Sequence, residues 1–337
     1  SRLNTTSEFF KKMITNHIKS RLLNHFGKGF VLYGHGVVMK RKDDFVEGLH
    51  IPFNDFENVI RYLQELNYSF VSMADLMQMA QKNFACSKHW AHLTFDDGYA
   101  NNLNVILPFL KSKGIPFTVF ISTNHIASRE RFYTYRLRCT LLHTKKTVRI
   151  DSADLTLDAE ASVEKRKAFY KKVRDYFKNA SKKEMLLLMA YIDSLLVDEW
   201  PYFNSLYQGD TILTEEELLK LSQEELVTIG SHNHNHLRLN VKFSEDEIRN
   251  EMESSMKWLK EKLALPYRLA YAYPSGTKND FSDTTISICK QTGYESGFTT
   301  LHKYVDKLTN PYAIPRFPFP KNVSKLRKIV WQSMGRF

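Results

Sequence analysis

The sequence predicts an α/β fold, a parallel sheet wrapped by helices in a doubly wound or barrel arrangement, with a run of helices inserted into it. Three observations carry this reading. Short apolar runs alternate with helical patterns over residues 30–122 and again over about 216–300, and a repeating strand–helix–strand order gives parallel strands. Residues 127–215 between them lose that rhythm and hold long helical patterns instead. The 337 residues are 43% apolar and 25% charged, the proportions of an ordinary globular chain, which excludes collagen-like, low-complexity or wholly disordered classes. That length admits two average domains or one large barrel with an insertion.

The elements follow in order. Residues 7–26 place Phe10, Ile14, Ile18 and Leu22 four apart, with Lys11, Lys12, Lys19 and Arg21 largely off that line. This is a basic amphipathic helix, expected to cover a core, with contact to a membrane surface as the second reading. FVLYGHGVV (30–38) reads as a buried strand ending in a glycine-rich turn. A helix over 54–66, a short strand FVSM (70–73) and a helix from 74 follow. WAHLTFDDGY (90–99) is a strand running into a turn, the next helix ends at Gly114, and PFTVFIS (116–122) is again a strand. After the insertion come the helix TEEELLKLS, whose acidic first turn suits a helix N-terminus, the strand LVTIG (226–230) and a long helix over 245–263. LAYAYP and GYESGFTT read as strands, and AIPRFPF leads into a basic closing helix.

Lys and Arg number 48 against 37 Asp and Glu, a net charge of +11. The excess lies in residues 1–30, 131–190 and 321–337. It reads first as solvated helix faces and second as a surface for an anionic partner. No zinc-finger or RRM signature points to nucleic acid. No apolar run reaches the roughly 18 residues of a membrane span. Cys86, Cys139 and Cys289 are far apart and form no CxxC, so neither a disulfide framework nor a cysteine metal site is expected. No signal peptide is read, and the expected location is cytoplasmic or membrane-peripheral, or periplasmic if a leader has been removed.

Two clusters carry chemistry. Asp96 and Asp97 stand in LTFDDG where a strand ends, the edge at which parallel α/β sheets place their active sites; Asp-Asp-Gly by itself is also a common turn. GSHNHNH follows another strand, and His232 and His236 are four apart, so in a helical turn both project to one side, as two ligands of one metal must. His234 points elsewhere. Two imidazoles and a carboxylate leave a metal open to water and substrate, which suits hydrolysis, and the second carboxylate is free to act as a base. His92 is expected to be structural, while His125 and His143 have no partner at ligand spacing. Tyr133 and Arg136, in the aromatic and basic run 131–136, are candidates for stacking and ion pairing with a sugar or phosphate, or for ordinary helix packing.

TFDDG (94–98) together with IGSHNHNH (229–236) resembles the polysaccharide deacetylases, carbohydrate esterase family 4, also called the NodB homology domain. Asn233 replaces the usual Ser/Thr of the second motif. VLYGHGVV resembles the first strand of a subgroup, AYAYPSG (270–276) resembles FAYPYG with Ser275 for the second Tyr, and NPYAIPRFPF resembles the closing LPR strand. The helical stretch resembles an insertion in deacetylases of surface-polysaccharide gene clusters.

The resemblance implies a deformed (β/α)7-type barrel over residues 1–337, with 127–215 as an insertion. It implies Asp97, His232 and His236 as ligands of one divalent ion, zinc first, with cobalt, nickel or manganese accepted by the same donors. It further implies Asp96 as general base, His35 as the acid serving the leaving amine, and the Ser275 backbone N–H as an oxyanion donor. The arginine that orients the catalytic aspartate in many relatives is Ala272 here, and Arg316 is the candidate replacement. The implied activity is removal of an N-acetyl group from an amino sugar of a surface polysaccharide or its lipid- or nucleotide-linked precursor. Deformylation or another amide cleavage, and a non-catalytic carbohydrate-binding protein, are the alternatives. An anionic membrane surface or a phosphate-linked glycan is the expected further partner.

Overall fold

The computed structural model describes residues 12–22, 28–86, 88–178 and 180–334; Phe10 and Lys11 of the N-terminal stripe lie outside them. The chain divides into two compact units, Ser1–Met39 with His50–Arg129 and Leu213–Phe337, and Lys40–Leu49 with Glu130–Ile212.

The strands are β1 (Phe30–Gly34), β2 (Gly36–Val38), β3 (His50–Pro52), β4 (Ser69–Phe70), β5 (Trp90–Asp97), β6 (Phe117–Ile121), β7 (Val148–Ile150), β8 (Leu155–Leu157), β9 (Val227–Ser231), β10 (Ala270–Ala272), β11 (Ser296–Phe298) and β12 (Phe317–Pro318). The helices are α1 (12–22), α2 (Phe53–Glu65), α3 (Met73–Ala80), α4 (Leu107–Ser112), α5 (Thr123–Ser128), α6 (Tyr133–His143), α7 (Val163–Phe177), α8 (Lys182–Ser194), α9 (Trp200–Leu206), α10 (Glu215–Ser222), α11 (Glu245–Lys262), α12 (Asp283–Gln291) and α13 (Val323–Ser333).

In the first unit the order β11-β10-β9-β6-β5-β1-β12 makes one parallel sheet, with β4 added at the start of β5. Ile314 bridges Phe298 of β11 while Phe317, three residues on, pairs with Leu32 of β1. The segment 314–318 therefore touches both edges, and the sheet curls into the deformed seven-strand barrel that the resemblance implied. β5 is buried along its whole length. Its Leu93 and Phe95 are fully buried, and Phe95 packs against Phe56 and Phe319. The alternate positions His92, Thr94 and Asp96 form a polar column on the other face, as the two-residue period of a strand requires.

Local rules explain where the elements begin. Capping boxes open α3 (Ser72, Asp75), α10 (Thr214, Glu217) and α11 (Ser244, Glu247), each answering free N–H groups of a first turn. The cap at Ser72 also cuts the strand predicted over 70–73 to Ser69–Phe70. The helix predicted to end at Gly114 begins as a π-helix over Asn102–Ile106 before continuing as α4.

Two expectations change. The apolar stripe of α1 does not cover a core: Ile14, Ile18 and Leu22 are exposed, whereas Asn16 and Ser20 are buried. The second unit is not purely helical, because β7 and β8 pair antiparallel within it. Its core joins Leu137 and Leu141 of α6 to Phe169 and Val173 of α7 and Ile192 of α8. Part of its basic excess is internal: Arg166 donates to the carbonyls of Leu141, Thr144, Ala159 and Ala161.

Candidate active site

Strand register builds the site. Asp97 pairs with Ile121, Ile121 with Ser231, and Ser231 with Tyr271, so the ends of β5, β6, β9 and β10 share one level. His232, one residue past β9, is held there by its own N–H on the Ile121 carbonyl at 2.7 Å. Gly34 is level with Phe95, so His35 emerges beside the paired aspartates.

Neighbouring residues of a regular strand face opposite ways. Asp97 escapes this with φ +84°, followed by Gly98 at φ +92°, and both carboxylates turn to the same imidazole. His232 Nε2 lies 3.9 Å from Asp96 Oδ2 and 3.5 Å from Asp97 Oδ1, and His236 Nε2 lies 3.3 Å from Asp97 Oδ1. A Cβ at Gly98 would stand 2.9 Å from the Ile121 side chain, so glycine serves both backbone and space. Asn233, His236 and Ser275 also have positive φ; such conformations, rare outside glycine, gather at functional sites.

Ligand atoms of Asp97, His232 and His236 all lie within 4.8 Å of one another. Asp97 Oδ1 is buried and takes no well-aligned hydrogen bond, an arrangement suited to a cation between the three groups. His232 Nδ1–H donates to the Ala272 carbonyl at 2.8 Å, which leaves the Nε2 lone pair facing the carboxylates, as ligation requires. Burial lowers the His232 pKa to about 4, against the opposing pull of Asp96, so it is neutral near pH 7. Burial alone would raise the Asp97 pKa, but the neighbouring histidines hold it well below the usual range. The residues present fit a divalent metal.

Asp96 belongs to a second arrangement. Arg316, fully buried, donates through Nη1 and Nη2 to its two oxygens at 2.8 and 2.9 Å, and also to Thr94 Oγ1 and the Thr299 carbonyl. Its guanidinium stacks over Tyr33 at 5.0 Å. Burial would raise the Asp96 pKa; the charge and hydrogen bonds of Arg316, with His232 and His35 adding to them, bring it below the usual range, and the carboxylate stays ionised. The guanidinium thus reaches Asp96 from just before β12, while position 272 at the end of β10 is alanine.

His35 is half-buried, and its carbonyl accepts from Asn102 Nδ2 at 2.9 Å, which gives the π-helical turn a use. Burial lowers its pKa although Asp97 and Asp96 pull it up. Ser275 lies past β10, its Oγ accepting from Arg238 Nε at 3.0 Å and its carbonyl from Thr300. Tyr133 and Arg136 belong to the second unit, where Tyr133 packs on Phe177 and Arg136 pairs with Glu130 and Asp193; that accounts for both as packing. His234 points away to Thr123 Oγ1, and His92 is held between Val71 and Thr118.

Sequence reasoning missed several supports. Glu251 of α11 accepts from the Asn235 N–H and side chain, pinning the histidine loop. Asn233 donates to the Leu237 carbonyl and accepts from the His234 N–H, and asparagine tolerates its φ of +75°. His125, bonded to Ser122, stands edge-on to His236 with ring centres 6.3 Å apart. Only the asparagine carried a signal, as a departure from its motif.

The polysaccharide deacetylase family profile matches residues 85–297, more than half of the chain. The chain belongs to the polysaccharide deacetylase family. Within this family of carbohydrate deacetylases its fold is shared by solved structures of low identity. The Streptococcus pyogenes deacetylase PplD in complex with acetate is 18% identical with a TM-score of 0.59, over 90% of this chain and 98% of that one. A de-N-acetylase from Aggregatibacter actinomycetemcomitans is 17% identical with a TM-score of 0.56, over 90% and 99%. IcaB from Ammonifex degensii is 16% identical with a TM-score of 0.58, over 92% and 99%. No curated protein matches this deacetylase-family chain.

Proposed function

We propose that this family member is a metal-dependent N-deacetylase of an acylated amino sugar, within a surface polysaccharide or its precursor. The observation that carries the reading is the cluster Asp97–His232–His236 set beside a separate, arginine-held Asp96. A de-N-acetylase among the fold relatives supports the N-acetyl class.

Asp97, His232 and His236 would hold the ion, zinc by preference. When bound, a divalent ion supplies Lewis acidity and brings water towards a pKa of about 7. Asp96, kept ionised by Arg316, accepts the proton of the attacking water. The bidentate grip fixes its orientation, with Oδ2 on the His232 side. The Ser275 N–H, which donates to no other described group, meets the developing oxyanion. His35, in its protonated form, gives a proton to the departing amine; burial disfavours that form and Asp97 and Asp96 favour it.

The test is a panel of N-acetylated and N-formylated sugars, free and phosphate-linked, with released acid and new amine both measured. Equal release of the two from an acetylated sugar is expected. Asp96→Asn should keep stoichiometric metal while the rate falls roughly 10²–10⁴-fold. His232→Ala with His236→Ala should lose the metal itself. No turnover of any acylated sugar, or an unchanged rate in Asp96→Asn, overturns the reading; stoichiometric metal in the double variant overturns the ligand assignment.

A further inference from the structure

The N-terminal helix is mounted with its apolar side outward. Asn16 and Ser20 are 9% and 5% exposed, while Ile14 and Ile18 are 57% and 55% exposed, Met13 is 51% and Leu22 is 38%. At roughly 100° per residue, Ile14 and Ile18 stand nearly opposite the Asn16–Ser20 side. The polar side is used for seating: Asn16 donates to Glu65, Ser20 Oγ accepts from Asn67, and Lys12 pairs with Glu65 at 3.3 Å. The apolar stripe therefore has no cover within the described residues.

Charge indicates what covers it. Residues 12–22 carry Lys12, Lys19 and Arg21, and α13 carries Lys325, Arg327 and Lys328; neither helix contains an acid. The two helices meet where Lys19 Nζ sits 5.3 Å from the centre of the partly exposed Trp331 ring. α13 packs on α2, with Arg327 over Tyr62 at 5.4 Å. A stripe of isoleucines beside lysines, arginines and a tryptophan, without acids, is the chemistry of a helix lying in the headgroup region of an anionic bilayer. A second copy of the chain would bring the same positive face against itself.

We propose that α1 and α13 form a docking face for an anionic lipid bilayer. Its position orients the enzyme. Glu65 ends α2 and Asn67 lies between it and β4, at the edge where the strands start, and β4 pairs with Trp90 and Ala91 at the start of β5. Asp96 and Asp97 close the far end of that strand, about 23 Å away at 3.3 Å per residue. The docked enzyme opens its catalytic edge away from the lipid. This inference does not depend on the proposed reaction.

The experiment is co-sedimentation of the full chain with vesicles of phosphatidylcholine alone or mixed with phosphatidylglycerol, at low and high salt. Binding is expected with the anionic vesicles only, and weaker in high salt. Ile14→Glu with Ile18→Glu should weaken it by at least about tenfold, as should Lys325→Glu with Lys328→Glu on the exposed side of α13. Leu308→Glu, at another exposed apolar position, should bind as the parent does, and matching thermal unfolding shows that the variants are folded. No binding to anionic vesicles overturns the proposal, and so does binding that survives Ile14→Glu with Ile18→Glu. So too does a dimer in light scattering that those two substitutions dissociate, since the stripe would then cover a second copy.

Discussion

Arg316→Met tests the site through its least replaceable side chain. Methionine keeps much of the apolar stem between Tyr33 and Phe120 but removes every donor of the guanidinium. Four hydrogen bonds go, two of them on Asp96, which is only 3% exposed. Breaking a buried ion pair from one side leaves an uncompensated charge and costs about 3–5 kcal/mol. The loss depends on pH in a defined direction. In the parent the folded pKa of Asp96 is depressed below 3.8, so its stabilisation is present above that value and fades only as pH falls through the folded pKa. In the variant only His232 and His35 still oppose burial, the largest single influence, so the pKa rises and protonation relieves the penalty as the solution is acidified. Urea unfolding of both proteins with metal chelated, near pH 7 and near pH 5, should show the gap narrowing at the lower pH. A loss below about 1 kcal/mol near pH 7, or an equal loss at both, would refute the claim that Arg316 exists to hold an ionised Asp96.

Two further outcomes follow from the same geometry. Asn233→Thr restores the family's usual residue type but puts a β-branched side chain at φ +75° and loses the bond to the Leu237 carbonyl; a loss of about 1–3 kcal/mol is expected in denaturant titration, and equal or higher stability would show the backbone there to be relaxed. His92 is fully buried, with a pKa lowered to about 4 by burial. Its unfolded form takes up a proton first, so on the order of 3 kcal/mol of stability should drain away between about pH 6.5 and pH 4. The acid-side slope should flatten in His92→Gln, and an unchanged slope would mean that other groups set it.

Much of the candidate site was legible in the sequence because its signals are local. The spacing of His232 and His236, the paired aspartates at a strand end and the strand–helix rhythm are all set within a few residues, although the histidines meet through an irregular loop with positive φ at Asn233 and His236 and not through the helical turn their spacing suggested. The resemblance then pointed to Arg316, yet its contact with Asp96 spans 220 positions. It exists because the segment 314–318 bridges both edges of the curled sheet. The turn of Asp97 onto the face of Asp96 was likewise hidden, since alternation along a strand predicts the opposite and only a positive φ undoes it. The N-terminal helix marks the limit most plainly. Its period shows which side is apolar, but whether another surface lies against that side depends on where the helix is seated, and Glu65 and Asn67 seat it by the polar side. By itself the sequence determined the fold class and offered candidates for the chemistry. The tertiary structure decided which of them meet and which apolar face is left to solvent, because both depend on contacts between segments far apart in the chain.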